Sequence, residues 1–209
     1  MPVRIKRPLP IAGRRPRVGL LGGSFNPAHA GHLHISRLAL ERLCLDEVWW
    51  LVSPQNPLKP EQGMAPLADR LAGARVLVQR RARGRGLWAT DIEQDLGTPY
   101  TADTLKALKS RVPNARFVWI MGADNLGEIA RWNNWTAIFE IVPVAVFARP
   151  AYSFKALTST AAKRFAGRRI PEHQAAGLVG SAPPAWVFLH IPLSSASATK
   201  IRDGSGGEI

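Results

Sequence analysis

The sequence predicts a doubly wound α/β fold, a parallel sheet with crossover helices on both faces. Two observations carry that prediction. Apolar runs of strand length alternate with stretches of helical period. The runs are also short and apolar nearly throughout, as strands are when both sheet faces are covered. In such a fold ligands bind at the carboxyl ends of the strands, so the loops that follow strands are where chemistry is sought.

The candidate strands, in order, are Arg17 to Leu21, Glu47 to Val52, Leu87 to Ile92, Arg116 to Met121, Val144 to Ala148 and Trp186 to Ile191. The candidate helices are Gly31 to Leu43, Leu67 to Arg80, Ala102 to Arg111, and Asn125 to Trp132 followed by Trp135 to Ile141. In the first helix Leu33, Ile35, Leu38 and Leu43 fall mostly on one side and read as core. Thr101 is placed to cap the third, and Asp124 to cap the helix after the fourth strand. No internal repeat interrupts the alternation.

With 209 residues and 46% hydrophobic types the chain can fill one core. The expected organisation is a basic disordered arm over 1–17 and a single domain over 18–209. The arm, "MPVRIKRPLPIAGRRPR", is rich in Arg, Lys and Pro and holds no acid. The single cysteine, Cys44, excludes an internal disulfide framework and a cysteine-based zinc cluster; a buried thiol in a reducing cytoplasm is expected. No run has the length a membrane span needs, and the N-terminus lacks the apolar core of a secretory signal, so a soluble cytoplasmic protein is expected.

The net charge of +13 raises nucleic acid as a partner. Much of the excess, however, lies in the arm, in "RRARGR" (80–85) and in the acid-free stretch 141–171. A scattered basic surface accounts for it and suits anionic small substrates equally. No nucleic acid is expected as the main partner, and a basic nucleic-acid-binding protein is kept as the alternative from another functional class.

The chemistry concentrates in "GLLGGSFNPAHAGH" (19–32). Two glycines and a hydroxyl between a strand and a helix let backbone N–H groups approach a ligand, and a helix N-terminus favours anions. Phosphate is the first suspect. The loop is neither a G-x-G-x-x-G dinucleotide fingerprint nor a Walker loop. His29, His32 and His34 have no carboxylate or cysteine beside them in sequence, so no protein-held metal site is expected.

"GGSFNPAHAGH" (22–32) resembles the H-x-G-H motif of the nucleotidyltransferase superfamily and, more narrowly, the G-G-[ST]-F-[DN]-P-x-H-x-G-H of bacterial nicotinate-nucleotide adenylyltransferases. "SATKIR" (197–202) resembles that family's I-S-x-T-x-I-R, "PYTADTL" (99–105) its S-Y-T-x-x-T-L, "GAD" (122–124) its G-x-D, and "RWNNW" (131–135) its tryptophan-bearing segment. The resemblance runs from about Val18 to Arg202 and leaves out the arm.

The resemblance implies a Rossmann-like nucleotidyltransferase that moves the adenylyl group of ATP onto nicotinate mononucleotide, giving deamido-NAD and pyrophosphate for NAD biosynthesis. It implies catalytic roles for His29, His32 and Arg202. ATP would be held by Gly22, Gly23, Ser24, Gly31, Gly122, Asp124, Ser197 and Thr199, with Asp124 on its ribose hydroxyls and Mg2+ bridging its phosphates. The mononucleotide would be held by Asn56, Lys59, Tyr100, Thr101 and Trp132. The Trp132 face suits a pyridinium cation, and the amides at Tyr100 and Thr101 suit a carboxylate. Trp135 reads as core.

Departures from the family pattern are few. Asn26 replaces a frequent aspartate and reads as a turn residue. The loop holding Lys59 lacks the family's histidine, and only "DGSGGEI" follows Arg202. Homo-oligomeric association is left open. Within the superfamily, a nicotinamide mononucleotide, pantetheine-phosphate or cytidylyl transferase shares the loop and fold.

Overall fold

The computed structural model describes residues 15–54, 62–82, 86–149 and 152–191. Among them, six strands make one sheet: β1 (Arg17–Gly23), β2 (Glu47–Val52), β3 (Leu87–Thr90), β4 (Arg116–Gly122), β5 (Val144–Phe147) and β6 (Trp186–Leu189). Their order is β3-β2-β1-β4-β5-β6, and every neighbouring pair is parallel. Parallel neighbours require crossovers. Helices α1 (Ala30–Arg42) and α2 (Leu67–Ala82) carry the chain outward from β1 to β3. Helices α3 (Ile92–Leu96) and α4 (Thr101–Arg111) bring it back across β1 to β4. From there α5 (Ala123–Glu128) and α6 (Trp135–Ile141) lead to β5, and α7 (Ser153–Leu157), α8 (Thr160–Arg164) and a 3-10 segment, Glu172–Gly180, lead to β6. The direction of winding reverses between β1 and β4, which opens a crevice at their carboxyl ends.

Strand periodicity sorts the apolar side chains into two cores. On β4, Phe117, Trp119 and Met121 join Leu105, Leu126, Ile138 and Phe139 on one face. Val118 and Ile120 join Leu33, Ala39, Leu71 and Leu178 on the other. Both faces are thus covered, which is why the strands read as continuous apolar runs. At Gly19 the sheet and the turn after α1 come so close that a Cβ would run into Ile120 and Leu45.

The predicted doubly wound α/β class and all six strands are present, β2 with the expected ends and the others with an end shifted. β1 and β4 each run on into glycine, whereas β3 stops at Thr90 because Asp91 starts a short helix that Gly97 ends in a left-handed conformation, φ +67°. Thr101 is the first residue of α4 rather than its cap; Tyr100 holds the cap position and makes no side-chain capping bond. Asp124 lies inside α5, behind a Gly122 cap, and makes no capping bond either. The helix expected over 125–132 ends early: α5 gives way to a 3-10 turn, Ile129–Arg131, so Trp132 stands on extended backbone. Cys44 is exposed, not buried, because the chain leaves α1 through it at φ +50°. No described helix is long and apolar enough to cross a membrane.

Candidate active site

The site begins where β1 ends. A side chain at Gly22 would collide with the Trp119 ring that β4 lays across it, so glycine here is what lets β4 and the turn approach. Beyond Ser24 the chain turns sharply, with Phe25 at φ +47° and a cis Asn26–Pro27 bond. Burial holds the turn: Phe25 is 2% exposed and stacks on Trp50 at 5.1 Å. Asn26 is the turn residue its position suggests. Its Nδ2 donates to the Gly63 carbonyl at 2.9 Å, and its Oδ1 accepts from the Ala65 N–H at 3.3 Å.

A buried cation that sequence reasoning missed fixes the same turn from below. Arg70 on α2 is 4% exposed and donates to four carbonyls. These are Ala65 (2.8 Å), Ser24 (2.6 Å), Ser53 (2.8 Å) and Pro54 (2.9 Å). One guanidinium therefore ties the segments that follow β1 and β2. Burial lowers its pKa, yet a guanidinium remains charged. An Arg in the first turns of an amphipathic helix gives no sequence signal that separates this clamp from a solvated residue.

The two motif histidines meet at the start of α1. His29 is the N-cap, and its Nδ1 accepts the Gly31 N–H at 3.1 Å. His32 Nδ1 accepts the His29 N–H at 3.2 Å, completing a reciprocal capping box. The ring centroids lie 3.9 Å apart. A backbone N–H can only donate, so each Nδ1 is unprotonated and each Nε2 carries the proton. His29 is 4% exposed, and burial, reinforced by the positive charge of Arg149, holds its pKa down at about 4. It is a neutral N–H donor at physiological pH. His32 packs against Phe25 and Trp50, and the Trp50 indole donates to Ser36 Oγ at 2.7 Å.

At the carboxyl ends of β4 and β5, the Asp124 carboxylate pairs with Arg149 at 3.3 Å. Its Oδ1 is otherwise buried without a hydrogen-bond partner. A side chain at Gly122 would run into both groups.

A cavity of about 340 Å³ opens at the reversal of strand order. Gly22, Gly23 and Ser24 line one part of it; Tyr100, Thr101 and Trp132 line another. These six are predicted site residues from three separate stretches of sequence. Tyr100 spends its N–H on Thr98 Oγ1 at 3.1 Å, so the α4 amides that lack a partner one turn back are those of Thr101 and Ala102. Trp135 behaves as the core residue expected, edge-on to Phe139 and Phe165. His29, Gly31, His32, Gly122 and Asp124 are placed beside the strand ends but outside the cavity lining. Asn56, Lys59, Ser197, Thr199 and Arg202 lie outside the described residues. Glu93 lines the cavity and was not foreseen; nothing in "TDIEQDLG" (90–97) separates it from a solvated acid.

Known proteins resemble this chain in sequence and in fold. Residues 20–204 match the cytidylyltransferase-like family. A Caulobacter protein (strain K31) named "Probable nicotinate-nucleotide adenylyltransferase" is 54% identical over 89% of this chain and 96% of its own. One of the same name from Gluconacetobacter diazotrophicus is 53% identical over 91% and 86%. Among solved structures, the Plasmodium falciparum nicotinic acid mononucleotide adenylyltransferase complexed with APC shares the fold, with a TM-score of 0.65 and 16% identity over 90% of this chain and 83% of that one. The same enzyme complexed with NaAD gives a TM-score of 0.64 at the same identity and coverage. Sequence identity above one half across almost the whole length places the chain in the cytidylyltransferase-like family, among the nicotinate-nucleotide adenylyltransferases.

Proposed function

We propose that this chain transfers the adenylyl group of ATP to nicotinate mononucleotide, giving deamido-NAD and pyrophosphate, as a step of NAD biosynthesis in the cytoplasm. One observation carries the reading: a single cavity joins the glycine turn after β1 to the α4 N-terminus and Trp132. A phosphate-binding turn, partner-free helix amides and an aromatic ring suit a nucleotide whose base is a flat cation bearing a carboxylate. Its named relatives and the ligands complexed with its structural neighbours support the same substrates.

In the reaction an oxygen of the mononucleotide phosphate attacks the α-phosphorus of ATP. The bond from that phosphorus to the bridging oxygen breaks, and the oxygen leaves with its electron pair as part of pyrophosphate. A phosphate monoester loses its second proton near pH ~6, so the attacking group is already an anion and needs no strong base. What the chain must supply is alignment of two anions and stabilisation of charge.

His29 and His32 donate through Nε2–H, and the backbone and hydroxyl of Gly22, Gly23 and Ser24 add donors. Gly31 contributes indirectly, since its N–H orients the His29 ring. Arg202, Ser197 and Thr199 act on the leaving polyphosphate. Gly122 leaves room for Asp124, which accepts from the ATP ribose. On the mononucleotide side Trp132 stacks on the ring and the amides after Tyr100, at Thr101 and Ala102, take its carboxylate. Asn56 and Lys59 are assigned to the mononucleotide by the family resemblance alone.

Among the described residues no three His, Cys, Asp or Glu side chains gather as a metal shell. The groups around the glycine turn are N–H and O–H donors, which fit phosphate oxygens. Mg2+ would be carried by the phosphates of ATP and would offset part of their charge.

The test is direct. The purified protein with ATP, Mg2+ and nicotinate mononucleotide should form deamido-NAD and pyrophosphate in equal amounts, read by chromatography and a coupled phosphate assay. Absence of both products, with salt-sensitive binding to DNA or RNA, would instead support the nucleic-acid reading.

A further inference from the structure

Glu93 is the second residue of α3 and lines the cavity, yet the adenylyl-transfer chemistry above makes no use of it. The residue is 5% exposed. Its Oε1 accepts from Thr104 Oγ1, one turn into α4, at a long 3.5 Å, and the Ser53 hydroxyl just past β2 favours the ionised carboxyl. Its Oε2 is buried with no hydrogen-bond partner, and among the described residues no cation pairs with the group. Burial, opposed by the two hydroxyls, pushes its pKa up to about 7. A carboxyl oxygen left unsatisfied in a folded protein carries a desolvation cost that a ligand donor can remove.

The substrate's chemistry narrows what that donor is. In nicotinate mononucleotide the ring offers no N–H or O–H, its carboxylate repels another carboxylate, and its phosphate is an anion. Only the ribose 2′- and 3′-hydroxyls donate. The positive pyridinium attached to that ribose further favours an anion nearby.

We infer that Glu93 is the acceptor that holds a ribose hydroxyl of the mononucleotide, and so sets the preference for a ribonucleotide at this site; this rests on nicotinate mononucleotide being the substrate. Thr104 bonds Oε1, which leaves Oε2 for the hydroxyl.

The experiment compares nicotinate mononucleotide with its 2′-deoxy and 3′-deoxy analogues in the wild-type protein and in Glu93→Gln. The wild type should lose roughly tenfold to a hundredfold in kcat/KM with one deoxy analogue, mostly through KM, as expected for a hydrogen bond to a charged group. Glu93→Gln keeps the shape and removes the charge; its ratio of ribo to deoxy should fall to within about threefold, with KM for ATP unchanged. A purely structural role would lower turnover of all three substrates alike and leave the ratio intact, which would overturn the inference. So would a wild type indifferent to both deoxy analogues, a result that needs no variant. A wild type inactive on nicotinate mononucleotide itself would be a different result, one that overturns the functional reading and this inference with it.

Discussion

The backbone N–H of His29 donates to Nδ1 of His32 at 3.2 Å, so the first histidine orients the second while its own Nδ1 is held by Gly31. The motif thereby does two jobs. It caps α1 and fixes both imidazoles as Nε2–H donors.

Replacing His32 by Ala separates those jobs. The lost cap costs about 1 kcal/mol, whereas losing a donor aimed at developing charge costs about a hundredfold or more in turnover. Thermal melting beside steady-state kinetics measures both, and an equal collapse of folding would mark the residue as structural.

The pKa of about 4 for His29 makes stability pH-dependent in a defined window. Between the unfolded value near 6.5 and the folded value near 4 the unfolded chain binds the extra proton, so stability is full above pH 6.5 and falls as pH drops through the window. The loss is on the order of 3 kcal/mol. Denaturation at stepped pH tests it, and histidine NMR should show the His29 ring titrating well below the usual range.

Glu93 gives the opposite sign. Its folded pKa, raised to about 7 from 4.5, means that ionisation opposes folding as pH rises through that interval. Glu93→Gln should therefore match the wild type near pH 4.5 and exceed it by about 1–3 kcal/mol at pH 8 in the ligand-free protein. Chemical denaturation at the two pH values is the check.

Arg70→Met should destabilise by about 3–5 kcal/mol, because four carbonyls lose their donor together. Arg70→Lys should rescue little, since an ammonium cannot span four carbonyls that a planar guanidinium reaches. Urea unfolding of both variants measures this.

The parts of this molecule that were legible in the sequence are those with a local cause. Apolar runs gave the strands, and the G-G-S-F and H-x-G-H residues marked the glycine turn ahead of α1, though not the cap its histidines make. The strand expected over 87–92 takes in only the first residue of α3, Ile92, which continues the apolar run of β3; the rest of α3 carries no helical period, and only Asp91 and Gly97 mark its ends. Arg70 and Glu93 were invisible because their roles come from burial between segments distant in sequence: Arg70 beneath the ends of β1 and β2, Glu93 between Ser53 and Thr104. Asp124 does not cap because α5 starts one residue before it, behind Gly122, and its carboxylate pairs with Arg149 instead.

The sharpest readout of this site is its preference for the acid over the amide. With ATP and Mg2+ present, kcat/KM for nicotinate mononucleotide should exceed that for nicotinamide mononucleotide by at least tenfold, because the α4 amides favour a carboxylate and the neutral amide gains nothing from them. Faster turnover of the amide would contradict it.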